Sequence, residues 1–228
     1  MSKYLIKFEK NGLLRYISHL DLMRLFQRTF KRADIRLSYS KGFNPHPKMS
    51  IAQPLSLGFT GGGEYMEFET VEEYTTEDLS DKLNRLFPAG ISILKCKLLN
   101  ENRKNAAALV GMGSYEIGWK TKPLAEAADM LDQFRHLKEI FVEKAQKKTK
   151  MLKQIDIQSM IKSAEYLGRQ DNKEWFRVFL AAGSEANLNP ELFMKAFSDF
   201  IERDFSKEDL RIHREGLYLN DGTPLIES

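Results

Sequence analysis

The chain has 228 residues, a formal net charge of +3, 42% hydrophobic and 29% charged residues, and one cysteine. It can therefore bury a core in one large or two small domains, and it has no run of about 18 apolar residues for a membrane span. The single cysteine excludes an intramolecular disulfide and a three-cysteine iron–sulfur motif, and we expect a cytoplasmic protein without a signal peptide.

The first hundred residues predict the element order β-α-β-β-α-β. The predicted strands cover residues 3–9, 49–57, 64–71 and 91–98, and the predicted helices cover residues 19–33 and about 76–86. Ser18 and Asp21 have the spacing of a helix cap, and the three glycines 61–63 predict a hairpin turn. This order is typical of the ferredoxin-like split βαβ arrangement.

The second half predicts a similar order. Its predicted elements are a strand over residues 107–119, a helix starting at Pro123, one or two strands within 139–168, a strand over 174–182, a helix starting at Asn189-Pro190 and a strand over 210–219. The predicted fold is therefore α+β, with two tandem ferredoxin-like (βαββαβ) subdomains that have antiparallel sheets. We place these subdomains at residues 1–100 and 106–220, with a C-terminal tail at 221–228.

Charge is unevenly distributed along the chain. Eight Lys and Arg residues stand against two acids between Arg15 and Lys48, whereas residues 64–81 contain eight acids and no base. Residues 144–153 contain five lysines and no acid. A basic face would attract a polyanion, an attraction that weakens with salt, and the acidic stretch could face a protein partner. The alternative is an ordinary solvated surface of mixed charge.

Residues 36–48 predict a stiff loop with binding groups. Gly42 permits unusual backbone angles. Pro45 and Pro47 restrict their own backbone angles and those of the residues that precede them. Basic groups among aromatic ones suit single-stranded RNA, whose bases stack on aromatic rings. The predicted RNA-binding residues are Arg24, Arg28, Lys31 and Arg32 for phosphates, Arg36, Lys41 and Lys48 to guide the strand, Tyr39 and Phe43 to stack, and Asn44 and His46 to contact base edges. The alternative for Phe43 is that it packs into the core and anchors the loop.

Three side chains near this loop could carry other chemistry. His19, Asp21 and His46 are types that form metal sites or acid–base pairs. Asp21 is also explained by helix capping, and His19 by its place beside the cap. We therefore predict no metal and no cofactor, and expect Cys96 to be a small buried apolar residue.

Residues 15–69 resemble the core of the radical SAM-linked (radical SAM-associated) bacterial protein family, whose biochemical function is unknown. The resemblance rests on Ser18-His19-Leu20-Asp21, on the helix with Arg24 and on residues 42–47 (GFNPHP), and more loosely on Ile155-Asp156-Ile157. Members are fused to, or encoded beside, a radical SAM protein, and they occur near genes for ribosomal proteins and a ribonuclease. This chain has no cysteine motif for the cluster, so it resembles the stand-alone form.

The resemblance implies a radical SAM protein as partner. With the basic surface, it leads us to expect a non-catalytic RNA-binding accessory protein that acts with a radical SAM enzyme in rRNA or tRNA modification. The paired architecture is also similar, at the level of fold, to CRISPR repeat-processing endoribonucleases. One alternative is therefore a metal-independent endoribonuclease that uses His19 or His46, and another is a protein-interaction scaffold that binds no RNA.

Overall fold

The computed structural model describes residues 1–100, 102–145 and 152–228. The chain has a mixed α/β fold that divides into two compact units, Met1–Gly111 with Arg214–Ser228, and Met112–His213. The first unit thus extends beyond the predicted boundary at residue 100, and it includes the C-terminal segment that the sequence analysis assigned to the second subdomain and a tail. Most of the lysine block at 144–153 lies outside the described residues.

The first unit contains the predicted elements in the predicted order. They are β1 (Ser2–Lys10), α1 (His19–Arg32), β2 (Met49–Ile51), β3 (Thr60–Thr70), α2 (Thr76–Asn84) and β4 (Ile91–Leu99), followed by a one-turn α3 (Ala106–Leu109). Strand β1 lies between β4 and β3, and β2 pairs with β3, all antiparallel. The helix cap predicted at Ser18 is confirmed, because its hydroxyl accepts a hydrogen bond from the Asp21 N–H at 3.1 Å.

The core of this unit lies between the sheet and helix α1. Phe8 of β1 meets Phe26 of α1 with ring centroids 5.0 Å apart, and Phe30 meets Phe68 of β3 at 4.7 Å. These rings are fully buried. The apolar stripe of α1 therefore packs on the sheet, and its opposite, basic stripe stays exposed.

The hairpin turn predicted at Gly61-Gly62-Gly63 is wrong. These residues lie inside β3, where Gly61 pairs with Lys10 of β1. A Cβ on Gly63 would stand 2.3 Å from the carbonyl oxygen of Glu215, so close backbone approach, and not a turn, requires glycine here. The strand predicted over residues 49–57 is shorter in the structure, where β2 ends at Ile51, before Pro54.

The second unit consists of a sheet, two helices and a two-stranded ribbon. Its elements are β5 (Met112–Lys120), α4 (Ala127–Arg135), β6 (Phe141–Ala145), β7 (Leu152–Asp156), β8 (Ile161–Gln170), β9 (Lys173–Ala181), α5 (Pro190–Phe200) and the first residues of β10 (Leu210–Tyr218). The strand order is β10-β5-β9-β8, with antiparallel β5–β9 and β8–β9 pairs, while β6 and β7 form the ribbon.

Two predicted boundaries in the second half shift. Residues 106–109 form α3 and not the start of a strand, because the Asn105 side chain accepts from the Ala108 N–H and caps a helical turn. Helix α4 begins at Ala127, four residues after Pro123, where Glu126 has a left-handed φ of 58°. The cap at Asn189-Pro190 is confirmed. No helix in the described part of the chain is long and apolar enough to cross a membrane.

Candidate nucleic-acid interface

Backbone hydrogen bonds fasten the base of the 36–48 loop to strand β3. The Ser38 N–H donates to the Glu69 carbonyl at 2.8 Å, and the Glu69 N–H donates to the Lys48 carbonyl at 3.0 Å. Further out, the Ser40 N–H donates to the His46 carbonyl, and the His46 N–H donates to the Ser40 hydroxyl at 2.9 Å. The two arms of the loop are therefore held side by side up to residues 40 and 46.

The tip of the loop projects into solvent. Lys41, Phe43 and Asn44 are exposed, and Gly42 has a φ of 126° that other residues rarely adopt. Phe43 is fully exposed, so the alternative in which it anchors the loop in the core is wrong. An exposed phenyl ring on a loop of this kind is available for contact with another molecule.

Helix α1 presents the predicted basic stripe, but its members differ. Arg24 donates to the Asp21 carboxylate at 3.1 Å, and Ser18 and Arg24 both hold the pKa of Asp21 below its ordinary value. Arg28, Lys31 and Arg32 are exposed and form no ion pair with any described residue. Three cations without an ion pair to a described residue therefore lie on the last two turns of the helix.

A groove of about 600 Å³ lies between the end of α1 and the first arm of the loop. Arg28 and Lys31 line it from the helix, and Arg36 and Tyr39 line it from the loop. Its apolar lining comes from Phe30, Ile35, Leu37, Pro47 and Val71. We call this the α1 groove. It brings together four of the predicted RNA-binding residues.

Three other predicted RNA-binding residues line neighbouring cavities. Arg32, with Arg28, lines a second cavity of about 400 Å³ on another side of the helix. His46 and Lys48 line a third cavity, also about 400 Å³, which shares Pro47 with the α1 groove. His19 is exposed and lines none of the three cavities.

Besides Arg24, two more of the predicted RNA-binding cations are already paired. Arg36 contacts the Glu72 carboxylate, which raises the pKa of Arg36 and lowers the pKa of Glu72. Lys48 Nζ lies 2.5 Å from Glu69 Oε2. The charge of Arg36 and Lys48 is therefore largely neutralised within the unit. The groove-lining cations without an ion-pair partner among the described residues are Arg28 and Lys31, and the acid Asp34 also lines the groove.

The acidic stretch 64–81 is not one exposed acidic face. Glu64 and Glu67 are buried. Glu64 contacts Arg214, and Glu67 contacts both Lys3 and Arg103. Glu69 and Glu72 form ion pairs with Lys48 and Arg36 of the loop. Because ion pairs within the unit neutralise most of this stretch, little acidic charge is left to face a protein partner.

No cluster of three or more potential metal ligands occurs among residues 1–100, 102–145 and 152–228. Burial raises the pKa of the Cys96 thiol to about 12, and Cys96 packs against the core of the first unit. The thiol is therefore a poor nucleophile at neutral pH.

The apolar wall of the α1 groove was not predicted from the sequence. Ile35, Leu37 and Tyr39 alternate with polar residues, a two-residue period that signals an extended segment with one shared face. Val71 follows the last residue of β3, and no local signal places it beside the loop.

A solved structure described as "Crystal Structure of a Cbf5-Nop10-Gar1 Complex" has a similar fold. The match has a TM-score of 0.52 and 11% sequence identity, and it covers 96% of this chain and 50% of that chain. At this identity the similarity concerns the fold alone. No curated protein matches the chain. The model of a family described as "Uncharacterized protein conserved in bacteria (DUF2344)" matches residues 3–190, and the chain belongs to that family.

Proposed function

We propose that the protein binds single-stranded RNA through the α1 groove and the loop tip. It would act as a non-catalytic accessory to a radical SAM enzyme in rRNA or tRNA modification. The observation that carries the proposal is that Arg28, Lys31, Arg36 and Tyr39 line one groove with an apolar wall.

The groove combines the two features that unpaired RNA requires. Arg28 and Lys31 offer charge to phosphates without breaking an existing ion pair. Tyr39 is 55% exposed and can stack on a base, and Phe43 offers a second ring at the tip. Each stacked base contributes roughly 1–3 kcal/mol to binding.

Arg28→Ala combined with Lys31→Ala should weaken binding of an unstructured 12-nucleotide RNA at low salt by at least about tenfold. It should also lower the slope of log affinity against log salt by about 1.4, because each lost contact to single-stranded nucleic acid removes about 0.7. Fluorescence anisotropy of a labelled RNA at several salt concentrations measures both quantities.

The matched control is Arg85→Ala combined with Lys95→Ala. These residues are exposed cations of the same unit, and they lie outside the three cavities. Binding that is absent at low salt, or that falls equally in both double variants, would contradict the proposal.

The radical SAM partner is supported by the family resemblance of residues 15–69. Affinity capture with the full chain, followed by mass spectrometry, should recover a protein with a radical SAM cysteine motif. Recovery that survives RNase treatment indicates direct contact, and recovery lost on treatment indicates contact through RNA. A capture without such a protein in either case would remove this part of the proposal. A partner captured by a chain that binds no RNA would favour the scaffold alternative.

A second candidate function is that of an endoribonuclease. His46 lines a cavity with Lys48 and Ser40, and this set could supply a general acid or base beside a cation. Incubation with RNA distinguishes the two functions. Cleavage that is lost in His46→Ala and kept in Lys48→Ala would favour the enzyme, and intact RNA that stays bound favours the accessory role.

We also propose the tandem ferredoxin-like description of the fold. It is supported by the strand order β4-β1-β3-β2 in the first unit and by the corresponding order β10-β5-β9-β8 in the second. On this description the β6–β7 ribbon is an insertion between the first helix and second strand of the second unit.

A further inference from the structure

The sheet of the second unit has one face covered by helices. Phe176 of β9 meets Phe197 of α5 with ring centroids 5.6 Å apart, and Phe197 in turn meets Phe134 of α4. Because successive side chains of a strand point to opposite faces, Trp175, Arg177 and Phe179 lie on the face away from these helices. All three are partly exposed.

Small residues surround Trp175 on this face. The strand register places Gly118 of β5 and Gly168 of β8 on its two sides. The six-membered ring of the indole lies over Gly118, where a Cβ would stand only 2.9–3.0 Å from the ring atoms. The indole Nε1 donates to the Gln170 carbonyl at 3.3 Å. The ring is thus supported from below by backbone and is held in one orientation.

Two lysines stand directly opposite each other beside this ring. Lys120 of β5 pairs with Lys173 of β9 in the register, two residues along each strand from the Gly118–Trp175 pair and so on the same face. Neither lysine has an ion-pair partner among the residues that the structure describes. Like charges directly opposite destabilise a sheet, so a site for an anion explains an arrangement that the fold alone disfavours.

Arg177 and Phe179 follow on the same strand, and both make contacts within the protein. Arg177 lies 3.8 Å from Glu116. Phe179 pairs in the register with Ser114, which is buried. The stacking surface of this face is therefore the ring of Trp175.

We propose that this sheet face, formed by Trp175, Lys120 and Lys173, is a binding site for single-stranded nucleic acid. We call it the β9 platform. An unpaired base stacks on Trp175, and phosphates contact the lysine pair. RNA-recognition domains use the open face of a four-stranded sheet in this way. The site lies in a different unit from the α1 groove and depends on none of its residues.

Intrinsic fluorescence tests the platform directly. The chain has two tryptophans, and Trp119 is buried, so quenching by a bound oligouridylate 12-mer reports on Trp175. We expect saturable quenching in the wild type and in Arg28→Ala with Lys31→Ala. Trp175→Phe should lose the quenching and keep the affinity within about threefold, whereas Trp175→Ala should bind about tenfold to a hundredfold more weakly.

Charge variants complete the test. Lys120→Ala with Lys173→Ala should lower the salt slope by about 1.4, while Lys138→Ala with Arg203→Ala, which follow helices α4 and α5, should leave it unchanged. Quenching that persists in Trp175→Phe, or wild-type affinity in Trp175→Ala, would overturn the platform. RNA binding without any quenching would also overturn it, and would leave the α1 groove as the site.

Discussion

Arg214→Ala should lower the free energy of unfolding by about 3–5 kcal/mol, because it leaves a buried carboxylate without its main partner. Arg214 and Glu64 are each only 2% exposed in their side chains. Arg214 Nε donates to Glu64 Oε1 at 2.8 Å, and its Nη2 contacts the other carboxylate oxygen and the Gln53 carbonyl. The pair is therefore bidentate and almost fully removed from water.

Lys10 moderates this loss. Its side chain is buried beside the pair, and this burial is the main cause of its lowered pKa. The negative charge of Glu64 raises the pKa of Lys10, whereas the positive charge of Arg214 lowers it further. Without Arg214, the repulsion on Lys10 disappears and Lys10 can partly compensate Glu64. We therefore expect a loss near the lower end of the range in Arg214→Ala and a larger loss when Lys10→Met is added.

Urea unfolding followed by circular dichroism measures these differences. Lys195→Ala is the matched control, since it removes the basic partner of an exposed ion pair with Asp199. It should cost less than about 1 kcal/mol. A loss in Arg214→Ala no larger than in this control would show that the buried pair is not a major source of stability.

Local patterns predicted the elements that local forces determine. Helix α1 begins and ends within one residue of its prediction, because the Ser18 cap and the apolar stripe are both encoded within the helix. Helix α5 follows its Asn189-Pro190 signal for the same reason. By contrast, the three glycines of β3 look like a turn until Glu215, about 150 residues later, is placed against Gly63.

The candidate site shows the same division. The basic stripe of α1 and the exposed tip of the loop followed from spacing and composition. The pairing of Arg36 with Glu72 and of Lys48 with Glu69 did not, because each pair joins the loop to a residue in or just after β3, more than 20 positions away in the sequence. For Arg214 the sequence contains one local signal. It lies two residues from the buried Ile212 and so on the same face of the strand, where a buried charge needs a partner.

Glu174→Ala should cost about 2–4 kcal/mol of unfolding free energy, because it leaves buried donors without an acceptor. Glu174 is fully buried, and its carboxylate accepts from the Leu124 N–H at 3.1 Å, the Tyr166 hydroxyl at 2.6 Å and Arg169 at 2.6 Å. The Leu124 N–H lies just before α4, so the carboxylate also fixes the entry to that helix. Glu165→Ala, an exposed acid on β8, is the control and should change stability little.

The ionised form of Glu174 should make this contribution depend on pH. Burial raises its pKa, but the hydrogen bonds from Tyr166, Arg169 and Leu124 outweigh burial and hold the pKa below its ordinary value. The stabilisation is therefore present above the unfolded-state pKa of about 4.3 and disappears as the pH falls through the lower, folded-state pKa. The stability difference between wild type and Glu174→Gln, measured by urea unfolding, should shrink below about pH 4. A difference that stays constant from pH 7 to pH 3 would mean that the charge of Glu174 contributes nothing, and that its hydrogen bonds are equally strong to a neutral group.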